Sequence, residues 1–298
     1  MKSVASPLRY PGGKSVLSDF LSHVIKINKM RDPVYAEPYA GGAGAALSLL
    51  FSEKVSRIIL NDKDRCIYAF WKAILNQTAQ FLELLKSTPV TIDEWRHQRE
   101  IYQHPGRHGQ LRLGFATFFL NRCNRSGILV KGGPIGGYEQ QGRWLIDARF
   151  NRITLRNRIE KIELYRDRIE IHNLDALEFL RKIVHPIASK KDSCLVYLDP
   201  PYYVKGRELY LNAYDDTDHA ALAKYLKKTS FFNWILTYDN VPQIYELYAD
   251  YEPNPFELSY SASRWRIGRE IMINDPRLIL PSNLPGISHE THIKAAEA

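Results

Sequence analysis

Four consecutive residues, Asp199, Pro200, Pro201 and Tyr202, are of types that could act on an aromatic amine. Such an amine is a poor nucleophile because its lone pair is conjugated into the ring. A carboxylate and a backbone carbonyl that accept its two N–H hydrogens draw the nitrogen toward tetrahedral geometry and aim the lone pair at an electrophile. Asp199 and the Pro200 carbonyl could be these acceptors, and the Tyr202 ring could stack on a base. Two prolines after a buried strand can also form a simple turn.

A glycine-rich stretch, Glu37 to Gly44, is the second chemical element of the chain. It follows an apolar run and leads into a helical pattern, where absent Cβ atoms let a ligand approach backbone amides. Position 47 is leucine rather than glycine, so the dinucleotide pattern G-x-G-x-x-G is incomplete and NAD is disfavoured. Asp62 follows the next apolar run, where a carboxylate can accept both hydroxyls of a ribose or simply cap a turn. At this spacing behind a glycine loop, the ribose role is favoured.

The elements that must position these residues alternate between strands and helices. Apolar runs predict strands at 34–36, 55–60, 169–171, 195–198, 235–237 and 271–273. Helical patterns cover 47–51, 176–184 and 218–228. Such alternation predicts an α/β fold with a mostly parallel sheet, whose ligands lie outside the carboxyl ends of the strands. Both chemical elements stand at such ends.

The positive charge of the chain is concentrated in one stretch. The whole chain carries a net charge of +8, and residues 96–168 hold 13 arginines and 2 lysines against 6 acidic residues, a net charge of +9. Arginine suits bidentate and stacking contacts with phosphates and bases. Aromatic residues and glycines lie among the arginines at 118–127, which favours a nucleic-acid surface over a merely solvated basic face. This stretch interrupts the strand–helix alternation, so we predict an inserted domain at 76–165.

Composition excludes several other classes of protein. The 298 residues are 45% hydrophobic and 25% charged, as in globular proteins. The sequence shows neither an apolar run of membrane-spanning length nor a signal peptide, which predicts a cytoplasmic protein without a membrane partner. Cys66, Cys123 and Cys194 are too widely spaced for a zinc motif and are expected to be buried thiols. The nine histidines lack metal-ligand spacing, so no metal is expected.

Taken in their order along the chain, the motifs resemble those of the Dam-like family of DNA adenine-N6 methyltransferases, and the resemblance covers most of residues 1–280. The matching elements are R-Y-P-G-G-K at 9–14, E-P-Y with its glycines at 37–44, N-D at 61–62 and D-P-P-Y at 199–202. The resemblance implies a Rossmann-like methyltransferase sheet formed by 1–75 and 166–280. It also implies an inserted, mainly helical DNA-recognition domain at 76–165, and 281–298 is expected to be a flexible tail. S-adenosylmethionine would be the cofactor, and a flipped adenine in double-stranded DNA would be the methyl acceptor.

The same resemblance implies roles for individual residues. The catalytic residues would be Asp199, Pro200, Pro201 and Tyr202. The cofactor-binding residues would be Tyr10, Lys14, Glu37, Pro38, Tyr39, Gly41, Gly42, Gly44, Asp62, Asp175 and Asp199. The DNA-binding residues would be Asn121, Arg122, Asn124, Arg125, Ser126, Lys131 and Arg143. Among these, Lys14 is placed near the cofactor carboxylate, Asp62 at the ribose and Asp175 at the adenine amine.

Other activities stay open at this point. Related amino-methyltransferases act on cytosine N4 or on RNA, although Asp rather than Ser at position 199 favours adenine by the resemblance. A DNA-binding relative without turnover would not need Glu37, Asp62, Asp199 and Tyr202 together. We expect a monomer of bacterial or phage origin. The sequence predicts neither the recognition site nor whether a restriction enzyme is its partner.

Overall fold

The strands of the molecule form one sheet, in which the predicted apolar runs occupy the centre. The computed structural model describes residues 5–9, 17–189, 193–203, 214–229, 231–260 and 266–281. Within them the strands are β1 (Val34–Glu37), β2 (Arg57–Asn61), β3 (Ile169–His172), β4 (Cys194–Leu198), β5 (Asn233–Asp239), β6 (Asn254–Tyr260) and β7 (Arg266–Asn274). Six of these overlap the runs that the sequence predicted. Only β6 was not predicted. It contains Pro255, which cannot donate a backbone hydrogen bond and therefore argues against a strand. The proline is tolerated because β6 lies at the edge of the sheet.

The strand order is β3-β2-β1-β4-β5-β7-β6. The neighbouring pairs from β3 to β5 are parallel, whereas β7 pairs antiparallel with both β5 and β6. The chain runs outward from β1 to β3 and then returns to place β4 beside β1, with Ala36 paired to Val196. The order therefore reverses between β1 and β4, which is where parallel sheets of this kind bind their ligands.

Helices cover both faces of the sheet. They are α1 (Ser18–Ile27), α2 (Gly44–Phe51), α3 (Arg65–Asn76), α4 (Thr78–Ser87), α5 (Ile92–Gln103), α6 (Gln110–Cys123), α7 (Arg152–Leu164), α8 (Ala176–Phe179), α9 (His185–Ala188), α10 (Asp216–Lys228) and α11 (Pro242–Leu247). Helices α1 to α7 share one hydrophobic core with Tyr35, and α8 to α11 share another with Val34 and Ala36. Successive side chains of β1 thus enter opposite cores, as the strand period requires.

The arginine-rich segment 76–165 is mainly helical, as the resemblance implies. Its apolar side chains join the core of the first sheet face, where Phe118 stacks on Phe70 of α3 with ring centroids 6.0 Å apart. Helices α3 and α6 approach so closely that a Cβ on Gly114 would lie 2.5 Å from the Ala69 carbonyl oxygen. The segment is therefore packed on the sheet through an extensive aromatic contact, and its boundaries as a separate domain stay a prediction.

Several smaller predictions can be compared with the structure. The helix predicted at 176–184 is present as α8 and a π-helical turn at 180–184, and it continues into α9. All three cysteines are buried thiols, as expected. None of the described helices has the length and apolar composition needed to cross a membrane.

Candidate active site

The carboxyl ends of four parallel strands meet at one edge of the sheet, and each carries an acid. Glu37 ends β1, Asp62 follows β2, Asp199 follows β4 and Asp239 ends β5. Because β1 and β4 are paired in parallel, the glycine-rich stretch and the D-P-P-Y stretch begin side by side. The structure thus brings together the two elements that the sequence separated by about 160 residues. This acidic sheet edge is the candidate active site.

Asp199 is oriented by two hydroxyl groups that the sequence analysis missed. The Thr237 hydroxyl donates to Asp199 Oδ1 at 3.0 Å, and the Tyr197 and Thr237 hydroxyl oxygens are 2.7 Å apart. Thr237 is fully buried on β5, next to the end of β4. Burial raises the pKa of Tyr197 well above its ordinary value, so this hydroxyl keeps its proton. Thr237, which is itself hydrogen-bonded to Tyr197, thus holds one carboxylate oxygen of Asp199.

The turn after Asp199 is fixed by two further acids that lie opposite each other on β5 and β7. The Tyr202 hydroxyl donates to Glu270 Oε1 at 2.9 Å, and the backbone N–H of Tyr203 donates to Asp239 Oδ1 at 2.9 Å. Asp239 and Glu270 are direct partners in the β5–β7 pairing. The sequence analysis assigned neither acid a role, although Asp239 ends a strand in the same way as the predicted acids.

The glycine-rich loop is anchored to the end of β2. The backbone N–H of Gly41 donates to Asp62 Oδ2 at 2.9 Å, and the backbone N–H of Asp64 donates to Asp62 Oδ1 at 2.9 Å. The Gly41 carbonyl in turn accepts from the Trp71 indole at 3.0 Å. Gly41 has φ of +46° and Ala43 of +45°, the left-handed conformation that lets the chain turn sharply into α2. Burial, with a smaller contribution from Asp64, raises the pKa of Asp62 to about 7.

Glu37 is a buried carboxyl beneath this loop. Glu37 Oε1 accepts from the Tyr35 hydroxyl at 3.0 Å and from the Ala46 backbone N–H at 3.2 Å. Burial, with a smaller contribution from the nearby Asp199 charge, raises the pKa of Glu37 to about 8. The two hydrogen bonds act in the opposite direction and limit this rise. Among the residues that the structure describes, neither Glu37 nor Asp62 forms a salt bridge with a Lys or Arg side chain. Within the described part of the chain, the two carboxyls are therefore stabilised by hydrogen bonds to N–H and O–H groups and not by a charged side chain.

The remaining predicted cofactor residues that the structure describes lie along the same edge. Asn61 donates to the Pro38 carbonyl at 2.9 Å and to the Leu174 carbonyl at 3.0 Å, which ties the ends of β1, β2 and β3 together. The Asp175 side chain accepts from the Leu177 N–H at the start of α8 and from Lys63 Nζ at 3.1 Å. The predicted residues Pro38, Tyr39, Gly42 and Gly44 lie on the loop or at the start of α2, whereas Tyr10 and Lys14 lie outside the described residues.

Three of the predicted DNA-binding residues are buried. Asn121 Oδ1 accepts from the Arg9 backbone N–H at 2.7 Å, and Asn121 Nδ2 donates to the Arg9 carbonyl at 2.7 Å. Arg122 donates to the Arg149 carbonyl at 2.8 Å, and burial lowers its pKa to about 9. Asn124 accepts from the Trp95 indole at 2.7 Å and donates to the Ile128 carbonyl at 2.7 Å.

These contacts give the three side chains a structural role that the sequence analysis did not foresee. They connect the end of α6 to the segments 5–9 and 125–150, and they are turned toward the protein. The geometry does not support a direct contact of Asn121, Arg122 or Asn124 with DNA in this conformation. Sequence alone does not distinguish a buried amide from one that contacts DNA, because the two are chemically the same, and a DNA contact of these three residues stays a prediction.

Other members of the predicted set are accessible. Arg125, Lys131 and Arg143 are exposed, and Ser126 is half-buried with φ of +56°. The Arg143 guanidinium lies 5.6 Å from the ring centre of Trp144, whose side chain is 64% exposed. We call Arg125, Lys131, Arg143 and Trp144 the exposed basic surface.

The loop that carries Arg143 and Trp144 is held by its own contacts. Gln140 Nε2 donates to the Ile135 carbonyl at 2.9 Å, and Gln140 Oε1 accepts from the Ile146 backbone N–H at 2.9 Å. Gly136 has φ of +87°, and a Cβ there would lie 2.8 Å from the Trp144 carbonyl oxygen. Trp144 is therefore exposed on a loop that its own hydrogen bonds and close packing hold in place.

No cluster of three or more metal-ligating side chains is found among the described residues.

Comparison with known proteins agrees with this geometry. The family model for D12 class N6 adenine-specific DNA methyltransferases matches residues 10–261. That range includes the glycine-rich loop, the exposed basic surface, the D-P-P-Y turn and the strands β1 to β6, whereas β7 lies beyond it. A comparison with curated proteins gives no match. Because the family match spans most of the chain, the protein belongs to the D12 class of N6 adenine-specific DNA methyltransferases and is an enzyme of site-specific DNA adenine methylation.

Proposed function

We propose that this enzyme transfers the methyl group of S-adenosylmethionine to N6 of an adenine turned out of double-stranded DNA. The proposed pocket for the adenine is the Asp199–Tyr202 turn, and the proposed cofactor site is the adjacent loop from Glu37 to Gly44 together with Asp62. The observation that carries the proposal is that Thr237 of β5 holds Asp199 and Glu270 of β7 holds Tyr202, while Asp239 of β5 holds the Tyr203 backbone, next to that loop. Family membership supports adenine and DNA as the substrate.

The donor set of the acidic sheet edge fits S-adenosylmethionine. When bound, this cofactor supplies an electrophilic methyl group on a positively charged sulfonium, and it also carries an ammonium group and a ribose. Glu37 and Asp62 have pKa values raised by burial to about 8 and about 7, so a cation beside them would favour their charged forms. Each Asp62 oxygen accepts one backbone N–H and keeps a second lone pair for a ribose hydroxyl.

Asp199 and the Pro200 carbonyl are proposed to accept the two N–H hydrogens of the adenine amine. Thr237 holds one Asp199 oxygen, so the carboxylate has a defined orientation before substrate arrives. Pro200 and Pro201 restrict the backbone φ angles and so limit movement of the carbonyl. The lone pair of the nitrogen would then point toward the cofactor loop, because β1 and β4 place both elements side by side. Transfer would form the N–C bond as the S–C bond breaks, leave S-adenosylhomocysteine as the neutral thioether, and let the methylated amine lose one proton to solvent.

Tyr202 is proposed to stack on the turned-out base. Its hydroxyl hydrogen bond to the buried Glu270 restricts the direction of the ring, which lowers the entropy lost on stacking. A base leaves its duplex neighbours at a cost of a few kcal/mol, and stacking on an aromatic side chain offsets about 1–3 kcal/mol of it. The phenol ring is therefore proposed as the main apolar contact of the adenine.

The exposed basic surface is proposed to bind the duplex. Arginine and lysine side chains there can neutralise phosphates, and the Trp144 ring can stack on a base or sugar. Trp71, Trp95 and Trp234 are each at most 2% exposed, whereas Trp144 is 64% exposed. Trp265 lies outside the described residues, so both proteins compared carry Trp265→Phe; we expect duplex DNA to quench tryptophan fluorescence in that background and much less when Trp144→Phe is added. Equal quenching in both proteins would remove Trp144 from the interface.

The test of the proposed activity is methyl transfer from labelled S-adenosylmethionine. Duplex DNA, single-stranded DNA and RNA are offered in parallel, and the label is located by modification-sensitive sequencing and nucleoside analysis. We expect N6-methyladenine in one short motif of duplex DNA. Label on cytosine N4 or only in RNA would contradict the proposal. No label despite binding of both cofactor and DNA would favour a DNA-binding relative without turnover.

A further inference from the structure

His219, in the first turn of α10, is a buried histidine to which the mechanism above gives no role. Its side chain is 1% exposed, and burial lowers its pKa, which favours the neutral ring. Nδ1 lies 2.8 Å from the Tyr238 hydroxyl oxygen. Nε2 is buried and has no hydrogen-bond partner in the described part of the chain.

The His219 ring contacts three tyrosines that come from different parts of the sheet edge. Its centre lies 4.9 Å from that of Tyr203, 5.3 Å from that of Tyr214 and 5.5 Å from that of Tyr238. These distances and the tilted or edge-on ring angles are those of favourable aromatic pairs. A single imidazole thus joins three rings that do not follow one another along the chain.

Each of these tyrosines is next to, or bonded to, a part of the proposed active site. Tyr203 directly follows Tyr202. Tyr238 lies on β5 between Thr237, which orients Asp199, and Asp239, which holds the Tyr203 backbone. The Tyr214 hydroxyl lies 2.7 Å from the hydroxyl of Tyr39, a residue of the glycine-rich loop. His219 is therefore in contact, directly or through one tyrosine, with both the catalytic turn and the cofactor loop.

We propose that His219 is a positioning residue that holds the catalytic turn in a fixed relation to the cofactor loop through Tyr203, Tyr238 and the Tyr214–Tyr39 pair. The proposal rests on the proposed function, because it assigns those two elements to the adenine and the cofactor. His219 touches neither substrate nor cofactor. Its effect is on the relative position of two groups that must meet, and an error of about 1 Å in such an arrangement costs on the order of a hundredfold in rate.

Three variants separate this role from simple packing. His219→Phe keeps an aromatic ring but removes both nitrogens, and His219→Asn keeps a polar group at the position of Nδ1. Tyr238→Phe removes only the hydroxyl on the other side of that bond. The matched control is His185→Phe, because the His185 ring also stacks on an aromatic ring, that of Phe231, with centres 3.8 Å apart. His185 and Phe231 precede β4 and β5, away from the acidic sheet edge.

The measurements are the methyl-transfer rate per folded molecule, the melting temperature and the affinity for S-adenosylhomocysteine by calorimetry. We expect His219→Phe to lower the rate on the order of tenfold and the affinity a few-fold. His219→Asn keeps a partner for the Tyr238 hydroxyl but loses the ring contacts with Tyr203 and Tyr214, so its rate should lie between those of His219→Phe and wild type. The double variant His219→Phe with Tyr238→Phe should be no slower than the slower single variant, because both remove one interaction. His185→Phe should match wild type in all three measurements.

Two results would overturn the proposal. One is a His219→Phe protein whose rate and affinity per folded molecule equal those of wild type. The other is equal impairment of the Phe and Asn variants in proportion to a fall in melting temperature, which indicates packing alone. The measurements on wild-type protein distinguish failure of the His219 proposal from failure of the proposed function. Wild-type protein that neither binds S-adenosylhomocysteine nor methylates DNA contradicts the proposed function whatever the variants do.

Discussion

The acidic sheet edge and the exposed basic surface differ in how their polar residues are placed. At the sheet edge, Glu37, Asp62 and Asp199 each come at or just after the end of a parallel strand, so all three face one site. Around the end of α6, neighbouring polar residues have opposite environments: Arg122 is buried and bonded to backbone carbonyls, whereas Arg125 is exposed. Parallel strand ends therefore bring acids to one edge of the sheet, whereas a helix end and an irregular loop give neighbouring polar residues different environments.

The first prediction concerns the ring of Tyr202 at the acidic sheet edge and its effect on the methyl-transfer rate. Tyr202→Ala removes the proposed stacking surface and should lower the methyl-transfer rate about a hundredfold, since stacking contributes about 1–3 kcal/mol. Tyr202→Phe keeps the ring and loses only the hydrogen bond to Glu270, so its rate should fall no more than about tenfold. Single-turnover rates at saturating cofactor and DNA measure both. Equal rates for the two variants would show that the ring itself is not used.

The second prediction separates the two arginines by stability. Arg122→Ala should lower the free energy of unfolding by about 2 kcal/mol, because carbonyl groups of Arg149 and Pro7 lose their buried donor. Arg125→Ala is the matched control and should change it by less than about 0.5 kcal/mol. Urea unfolding followed by circular dichroism measures both values. A free energy of unfolding for Arg122→Ala equal to that for Arg125→Ala would contradict the structural role assigned to the Arg122 side chain.

The third prediction concerns the acids of the sheet edge and pH. The pKa of Glu37 is raised to about 8 in the folded protein, so its contribution to stability is complete below its ordinary pKa of 4.5 and is lost as pH rises toward 8. A cationic cofactor reverses this preference, because it favours the carboxylate. The affinity for S-adenosylmethionine should therefore rise roughly tenfold between pH 6 and pH 7.5.

Calorimetry in buffers of different ionisation enthalpy tests this pH dependence through the protons released on binding. Glu37→Gln should weaken the rise with pH, and S-adenosylhomocysteine, which lacks the sulfonium charge, should show a smaller rise than the cofactor. An affinity that falls over this pH range would contradict the assignment of Glu37 and Asp62 to the cofactor site.

The smallest expected effect is on the salt dependence of DNA binding. Arg125→Ala should weaken binding a few-fold and reduce the slope of log affinity against log salt by about 1, because one phosphate contact is lost. Arg122→Ala, measured where it is folded, should leave that slope unchanged. Fluorescence anisotropy of labelled duplex at several salt concentrations gives both slopes. A reduced slope for Arg122→Ala with an unchanged slope for Arg125→Ala would mean that Arg122 leaves its buried position when DNA binds.

The sequence predicted the fold well because the four central parallel strands, β1, β2, β4 and β5, are nearly continuous apolar runs buried on both faces, while the edge strand β3 alternates. It predicted Asp62 and Asp199 because a strand end fixes the direction of the residue that follows. Thr237 and Glu270 were missed because their roles depend on the pairing of β4 with β5 and of β5 with β7, which are contacts between distant parts of the chain. The burial of Asn121 was missed because it depends on the segment at Arg9, more than a hundred residues away.

The most direct test of the account is the single-turnover methyl-transfer rate of Asp199→Asn on duplex DNA that carries the mapped motif. Asparagine retains the size and the Thr237 contact but loses the charge that accepts the amine hydrogen. We predict a rate at least about a thousandfold below wild type, with cofactor and DNA affinities within a few-fold, as expected when one preorganised acceptor is removed. Asp93→Asn, at an exposed position far along the chain, serves as the control and should match wild type. A rate for Asp199→Asn within tenfold of wild type would contradict the central role of this carboxylate.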